Sequence, residues 1–352
     1  MTTRSVLVVG TGTIGEPLIG LLARLKGELS VDDVYFYKRT PLVDEVSKVN
    51  SLCDKGAKLI VKDLHMAEKF SVLGHKVSGL FDDTLPEMTS VIDCTPSGNA
   101  NKVEYYSKIQ GPLFIAQGSE KGFGTPYAYG INDQILEEND PKFIQIVSCN
   151  THNIACLVKT LDDARDVVSG DFVCIRRAND ISQDDNFIAA PNVGSHQDPV
   201  YGTHHARDVY DLFRTTGKIY NIFSSAMKVN SQYMHTIRFA VTVKGTLSKD
   251  DVISLFRSNK FIALTQKNSA NKIFSFGRDH GFYGRTYNQT VVPINSLYVK
   301  SGPGTTTVVG FCFTPQDGNS LLSSVAAALY GVHSGEYKSH LPTLNKLLFS
   351  EI

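Results

Sequence analysis

The sequence carries no surplus of charge: its 352 residues include 35 Lys and Arg against 35 Asp and Glu. Dedicated nucleic-acid-binding proteins usually carry a basic surplus, so this balance argues against nucleic acid, although it still allows a local basic pocket for a small anion. No apolar run approaches the ~20 residues that a membrane-spanning helix needs. The first strand is expected within a few residues of the start, which leaves no room for a signal peptide. We therefore expect neither a nucleic-acid partner nor a membrane.

Cysteine is also scarce. The chain has 6 cysteines and no CxxC pair, which argues against a disulfide framework or a zinc ribbon and favours a reducing cytoplasm. There is no internal repeat, low-complexity tract or Pro-rich linker. What is present is an ordinary globular composition, with 42% hydrophobic and 20% charged residues, at a length that predicts two domains or one large one.

A glycine-rich turn follows the first apolar run, Val6–Val9. It reads Gly-Thr-Gly-Thr-Ile-Gly and precedes leucines at helical spacing. A GxGxxG motif between a strand and a helix is typical of dinucleotide-binding folds. Gly10 would permit the tight turn, Gly12 would let a pyrophosphate approach the backbone, and Gly15 would let the helix lie close to the sheet. The alternative is a glycine turn without a ligand. We expect a dinucleotide site here.

The second strand, near Val34–Tyr37, ends in Lys38-Arg39-Thr40. An NAD-selective fold usually carries a carboxylate at this point for the ribose 2′-hydroxyl. Two cations and a hydroxyl would instead bind a 2′-phosphate. The alternative is a pair of solvated cations on a turn. We predict that NADP is preferred or accepted, with NAD as a second cofactor.

Further strands are expected at Lys58–Lys62, Ser90–Cys94, Leu113–Ala116 and Phe143–Val147, separated by helical or irregular segments. Small polar residues follow two of them. These are Thr95 and Pro96 after one strand and Gln117 and Gly118 after another. A doubly wound sheet binds its cofactor at the carboxyl ends of its strands, so these four residues are predicted cofactor contacts.

Cys149 is predicted to lie where a buried strand passes into a helix. The leucine and isoleucine spacing after it predicts a helix from about Asn150 or Thr151, and Ser148, Asn150 and Thr151 are good capping residues. A helix N-terminus favours a thiolate over a thiol. The alternative for any single cysteine is an inert buried side chain, which suits Cys94, Cys156, Cys174 and Cys312. Cys53 lies in a mostly polar segment and has no candidate base near it in the sequence.

A dinucleotide fold combined with a cysteine nucleophile narrows the chemistry. An aldehyde has no carbon from which a hydride leaves readily until a thiolate adds to it. The addition gives a thiohemiacetal, hydride transfer gives a thioester, and phosphate or water can then resolve it. An imidazole is expected to accept the hydroxyl proton.

The second half of the chain has a different pattern. Strand-like alternation at Thr236–Val243 and Thr305–Phe313, with weaker candidates at Ile219–Phe223 and Val291–Leu297, suggests a mixed or antiparallel sheet. An alanine-rich helix is expected over Ser320–Tyr330. The predicted fold class is therefore α/β, with an N-terminal Rossmann dinucleotide-binding domain and an α+β catalytic domain.

His204 and His205 follow a polar loop that contains other ionisable residues. These neighbours are His196, Asp198 and Arg207. Such a cluster could bind an anion or a substrate, or it could be a solvated loop. A metal site is not expected, because neither HxxxH nor HExxH occurs and metal ligation needs three or four ligands in one place.

Together these segments resemble the archaeal-type (class II) phosphorylating glyceraldehyde-3-phosphate dehydrogenases. The resemblance covers most of the chain, and the ordered set of motifs is more specific than any one of them. It is carried by 10–15, 38–41, 93–96, 117–121, 147–151, 175–178, 203–205, 234–235 and 246–256.

The resemblance implies roles for particular residues. Cofactor contacts would be Thr13, Ile14, Gln117, Gly118 and Arg177, with Arg176 as neighbour of the last. Ser148, Cys149 and Asn150 would hold the aldehyde, with Thr151 beside them. His204, His205 and Arg176 would bind the phosphate-bearing substrate, and His235 would be the base.

The resemblance also implies an organisation and a pathway. The Rossmann domain would span 1–147, the catalytic domain 148–316, and the C-terminal helix, about 317–352, would return to the first domain. The family usually forms a homotetramer and acts on glyceraldehyde 3-phosphate and inorganic phosphate in glycolysis or gluconeogenesis.

The sequence departs from the family pattern at three places. Ile237 stands where the family has a second histidine, and Thr151-His152-Asn153 stands where it has Thr-Thr-Gly, so His152 is a rival for the base. Thr314-Pro315-Gln316-Asp317 replaces His-Gln-Glu-Ser, which leaves Gln316 as the nearest cofactor contact there. A sibling acyl-phosphate reductase or semialdehyde dehydrogenase, and a non-catalytic nucleotide-binding protein, are therefore kept as alternatives.

Overall fold

The computed structural model describes residues 3–118, 120–179, 187–315 and 318–352. The fold is α/β, as predicted, with a parallel Rossmann-like sheet and a second, mixed sheet. The helices of the described residues are α1 Gly15–Leu25, α2 Val46–Asp54, α3 Leu64–Val72, α4 Phe81–Thr84, α5 Gly98–Glu104, α6 Gln134–Asn139, α7 Cys149–Asp162, α8 His204–Arg214, α9 Lys249–Ser258, α10 Ala270–His280 and α11 Asn319–His333. None of these helices combines the length and the apolar character required to span a bilayer.

The first sheet is wholly parallel in the described residues. Its strands are β1 Ser5–Val9, β2 Asp33–Tyr37, β3 Lys58–Val61, β4 Gly79–Leu80, β5 Ser90–Asp93, β6 Leu113–Gln117, β7 Thr125–Tyr127 and β8 Phe143–Ile146, in the order β4-β3-β2-β1-β5-β6-β8-β7. The chain reverses its direction of progress across the sheet between β1 and β5. In an open α/β sheet, that switch point is where ligands bind.

The second sheet is mixed. Its strands are β9 Val167–Arg176, β10 Asn192–Val193, β11 Ile222–Lys228, β12 His235–Lys244, β13 Ile262–Thr265, β14 Thr290–Pro293, β15 Tyr298–Gly302 and β16 Thr305–Thr314. Strand β12 lies antiparallel between β9 and β16, so the end of β9, the start of β12 and the end of β16 share one edge. Helix α7 contacts β9, β12, β14 and β16.

Most elements expected from the sequence occur within a few residues of their predicted bounds. The strand expected at Ile219–Phe223 is Ile222–Lys228 instead, and the one expected to continue to Leu297 stops at Pro293. Proline has no N–H for the ladder, and a short 3-10 turn follows it. The long strand β9 has no counterpart in the sequence analysis.

The chain divides into two compact units. Unit 1 comprises 1–127, 135–146 and 321–344, and unit 2 comprises 128–134, 147–320 and 345–352. Unit 1 has an aromatic core that includes Tyr106, Phe114 and Phe123, all fully buried. In unit 2, Phe172 and Phe239 are fully buried members of the second sheet. The assignment of a cofactor role to one domain and a catalytic role to the other stays a prediction.

Candidate active site

The glycine turn between β1 and α1 has the geometry that each glycine was expected to provide. Gly10 has a φ of +97°, which side-chain-bearing residues rarely adopt. A Cβ on Gly15 would lie 2.1 Å from the carbonyl oxygen of Gly10, so the helix begins against the turn only because this residue is glycine. A Cβ on Gly12 would meet no atom within 4 Å. The open space above Gly12 fits a pyrophosphate approaching the backbone.

A cavity of about 470 Å³ lies at the carboxyl ends of the strands around this turn. Its lining includes Gly10, Tyr37, Arg39, Lys62, Thr95 and Pro96. Thr95 is held by the buried carboxylate of Asp93, which accepts from its backbone N–H at 2.8 Å and from its hydroxyl at 2.6 Å. The cavity combines aromatic faces with two cations, a fit for the base and phosphate portions of a dinucleotide. Sequence reasoning missed Lys62 and Tyr37, because only the fold places them beside Arg39.

The two cations predicted to read a 2′-phosphate have different surroundings. Lys38 is only 5% exposed, and its ammonium group pairs with Glu45. Lys48 pairs with the same carboxylate. Burial opposes the ionisation of Glu45, but the hydrogen bonds from the two lysines outweigh it and lower its pKa. Arg39 is exposed and lines the cavity, so it is the better placed of the two for an incoming phosphate.

The remaining predicted cofactor contacts belong to several different elements of the two units. Thr13 and Ile14 precede α1, and Thr40 is exposed after β2. Gln117 donates to the hydroxyl of Ser324 at 2.6 Å, and the carbonyl of Gly118 accepts from Gln145 at 3.1 Å. Arg177 follows β9 in unit 2. Gln316 lies outside the described residues.

Cys149 is the first residue of α7, which begins one or two residues before its predicted start at Asn150 or Thr151. Ser148 caps the helix: its hydroxyl accepts from the backbone N–H of Thr151 at 3.3 Å and lies 2.8 Å from the hydroxyl of Thr151. Asn319 donates to the carbonyl oxygen of Cys149 at 2.9 Å. The thiol therefore stands at the positive end of a 14-residue helix whose first turn is held in place.

The other five cysteines are poor nucleophiles for a common reason. Burial raises the pKa of the Cys94, Cys156 and Cys174 thiols, and it raises that of Cys312 to about 12. Burial and the charge of Asp54 raise the pKa of Cys53. All five remain protonated at neutral pH. Cys149, which is half-buried, is the candidate for chemistry.

The two candidate bases hold opposite tautomers. In His152, Nδ1 lies 3.0 Å from the carbonyl oxygen of Ser148, so Nδ1 carries the proton and Nε2 carries the lone pair. In His235, Nδ1 accepts the backbone N–H of Arg177 at 2.9 Å, so Nε2 carries the proton. Burial lowers the pKa of His152 to about 4, and burial with the charges of Arg177 and Arg176 lowers that of His235 to about 3. Both imidazoles are neutral at physiological pH.

A group suited to an anion lies at the start of α8. His204 and His205 are the first two residues of the helix, with their ring centroids 4.0 Å apart. His205 is 3% exposed and neither ring nitrogen has a hydrogen-bond partner within the described chain. Burial and the nearby charges of His204, Arg176 and His235 hold its pKa well below the usual range. A buried imidazole with two unpartnered nitrogens, close to a guanidinium and a helix N-terminus, fits a bound phosphate.

The other ionisable residues of that loop do not join the group. Asp198 pairs with Arg207 at 3.0 Å, and His196 lies 2.9 Å from the hydroxyl of Ser225. Among residues 3–118, 120–179, 187–315 and 318–352, no cluster of three or more His, Cys, Asp or Glu side chains has the arrangement of a metal site.

The chain is similar in sequence to glyceraldehyde-3-phosphate dehydrogenases. Residues 148–281 match the family model for the glyceraldehyde 3-phosphate dehydrogenase C-terminal domain. The glyceraldehyde-3-phosphate dehydrogenase of Sulfolobus acidocaldarius is 27% identical over 305 residues, which are 85% of this chain and 84% of the relative. That of Sulfurisphaera tokodaii is 28% identical over 83% of each chain, and that of Methanothermus fervidus is 28% identical over 74% and 73%. The chain is therefore similar to glyceraldehyde-3-phosphate dehydrogenases over most of its length, and to the model of their C-terminal domain over residues 148–281.

Proposed function

We propose that this protein is a phosphorylating glyceraldehyde-3-phosphate dehydrogenase of the archaeal (class II) type that uses NADP or NAD. The observation that carries the proposal is the setting of Cys149. It begins α7, whose first turns reach the end of β16, and that sheet edge also holds His235 and Arg176. We also propose that the protein acts in the reducing cytoplasm and assembles as a homotetramer.

The reaction begins at the Cys149 thiolate. Its sulfur adds to the aldehyde carbon, and the carbonyl electron pair moves to oxygen, which gives the thiohemiacetal. The bound nicotinamide supplies the hydride acceptor for its oxidation to a thioester. Inorganic phosphate then attacks the thioester carbon, the carbon–sulfur bond breaks, and Cys149 is released with 1,3-bisphosphoglycerate as product.

The tautomers support a division of the proton-handling steps between the two histidines. His152 has its lone pair on Nε2, and its Nδ1–H bond to the Ser148 carbonyl is kept when the ring becomes cationic. It is therefore the better acceptor for the hydroxyl proton. His235 has its proton on Nε2, and protonation of Nδ1 would set two N–H groups against each other at Arg177. His235 is therefore a hydrogen-bond donor to substrate oxygen. His204, His205 and Arg176 hold a phosphate group.

A substrate panel tests the proposal. We expect glyceraldehyde 3-phosphate to reduce NADP, and the rate to depend on inorganic phosphate. Activity confined to aspartate semialdehyde or N-acetylglutamate semialdehyde would instead favour the acyl-phosphate reductase alternative. The non-catalytic alternative predicts no turnover with any of the three and a Cys149 that iodoacetamide does not alkylate.

Arg39→Ala is expected to raise the KM for NADP about tenfold or more and to leave the KM for NAD nearly unchanged. The exposed guanidinium would be lost as a charge-assisted partner of the 2′-phosphate, an interaction worth about 1.5–3 kcal/mol. The measurement is steady-state kinetics with both cofactors. Lys69→Ala, at an exposed lysine of α3, is the matched control and should change neither value. An unaltered NADP KM in Arg39→Ala would remove Arg39 from the site.

Lys38→Ala distinguishes the two cations of the predicted pair. Because Lys38 already shares the Glu45 carboxylate with Lys48, Lys38→Ala is expected to change the KM for NADP and the KM for NAD by a similar factor.

A further inference from the structure

Three buried side chains connect the end of β16 with the first turns of α7. The hydroxyl oxygen of Thr314 accepts from Nδ2 of Asn153 at 2.8 Å and lies 3.2 Å from Oδ1 of Asn150. Thr314 and Asn153 are fully buried, and Asn150 is 3% exposed. Cys312, two residues before Thr314, contacts Oδ1 of Asn153 at 3.2 Å.

The donors and acceptors of this chain run in one direction. Because burial raises the pKa of the Cys312 thiol to about 12, the thiol is protonated, and its acceptors are Oδ1 of Asn153 at 3.2 Å and the carbonyl oxygen of Ile237 at 3.6 Å. Asn153 then presents its Nδ2, which can only donate, to the Thr314 hydroxyl. The single hydroxyl proton of Thr314 is left to donate to Oδ1 of Asn150. The amide of Asn150 is thereby fixed with its oxygen toward Thr314.

The nitrogen of that amide is left for a ligand. Within the part of the chain that the structure describes, no oxygen accepts from Nδ2 of Asn150. Asn150 directly follows Cys149, so its donor belongs to the same helix turn as the nucleophile. An amide that could otherwise turn over is therefore held in one orientation.

We propose that Thr314 is a positioning residue, which acts through Asn150 to stabilise the oxyanion formed when Cys149 adds to a carbonyl carbon. As the carbon–sulfur bond forms, the carbonyl electron pair moves to oxygen, and Nδ2 of Asn150 donates to that oxygen. This role rests on the proposed function for its physiological substrate. It applies equally to any acyl group that Cys149 accepts, which makes it testable without an aldehyde or a cofactor.

The test compares two reactions of Cys149 in the full-length protein. Acylation by p-nitrophenyl acetate passes through a tetrahedral oxyanion and releases p-nitrophenolate, whereas alkylation by iodoacetamide displaces iodide without forming an oxyanion. Thr314→Val removes only the hydroxyl. We expect this variant to slow acylation about tenfold or more and to leave the alkylation rate unchanged. The expected loss of acylation rate is smaller than the loss of about 10²–10³-fold that follows deletion of an oxyanion donor itself. Thr314→Ser should restore most of the acylation rate.

Matched variants separate this role from a structural one. Thr307→Val removes a hydroxyl from the same strand, one that lies 2.9 Å from the hydroxyl of Thr242, and should change neither rate. Asn150→Ala should slow acylation at least as much as Thr314→Val, and the double variant should be no slower than Asn150→Ala alone. Equal slowing of acylation and alkylation in Thr314→Val, or additive losses in the double variant, would overturn the proposal. If Thr314→Val does not fold, as judged by its thermal unfolding, the comparison of Asn150→Ala with wild type decides. Unchanged acylation there would also overturn it.

The two proposals fail separately. A wild-type protein that is acylated quickly by the ester but does not oxidise glyceraldehyde 3-phosphate would contradict the proposed function alone. Loss of the difference between acylation and alkylation in Thr314→Val would contradict only the role of Thr314.

Discussion

Cys149→Ser is expected to reduce kcat by at least about 10³-fold while cofactor affinity stays unchanged, because an alcohol in this position is neither ionised nor comparably nucleophilic at neutral pH. The helix N-terminus that stabilises a thiolate cannot bring a hydroxyl into its ionised form. The variant keeps the size of the side chain and the cap that Ser148 makes with Thr151. Turnover of glyceraldehyde 3-phosphate, and binding of NADPH followed by the fluorescence of its reduced nicotinamide, are the two measurements.

Cys53→Ser is the matched control for this variant. Its thiol is half-buried like that of Cys149, but burial and Asp54 raise its pKa, so it should contribute nothing to turnover. Full activity in Cys149→Ser would refute the thioester mechanism. An equal loss in Cys53→Ser would show that the effect is not specific to the nucleophile.

The sequence predicted the parts of this site that depend on local pattern. The turn from Gly10 to Gly15 and the position of Cys149 follow from a strand, a small residue or cap, and the spacing of apolar residues in the next helix. Both predictions depend only on residues that are close together in the sequence.

The parts that sequence reasoning did not provide depend on residues brought together by the fold. Lys38 pairs with Glu45 on a segment after β2, and no periodicity in the sequence indicates that pairing. The tautomer of His235 is set by the backbone N–H of Arg177, which is 58 positions away. Thr314 was noted only as a departure from a family motif, whereas its contacts with α7 give it a position in a hydrogen-bond network.

Substitution by glutamine is expected to affect His152 and His235 very differently. Glutamine can accept one hydrogen bond and donate another, as a neutral imidazole does, but it cannot take up a proton. His152→Gln should therefore reduce kcat about 10²–10⁴-fold, the usual contribution of a general base. His235→Gln can still accept from Arg177 and donate to substrate, so it should raise KM more than it lowers kcat.

A larger loss of kcat in His235→Gln than in His152→Gln would contradict this division of roles. Circular dichroism at the assay temperature checks that both variants are folded, so that a lower rate does not reflect unfolded protein.

The pH dependence provides an independent check on the base. A base accepts a proton only while it is neutral, and burial has lowered the pKa of His152 to about 4, so its contribution should be complete at pH 6 and above and lost as the pH falls through about 4. A profile of kcat/KM governed by this group is therefore flat across the ordinary histidine range near pH 6.5. If kcat/KM instead falls on the acidic side of pH 6.5, and this fall disappears in His235→Gln, His235 is the base. Such a profile would mean that the His235 imidazole is exposed and readily protonated, whereas the structure has it buried and neutral.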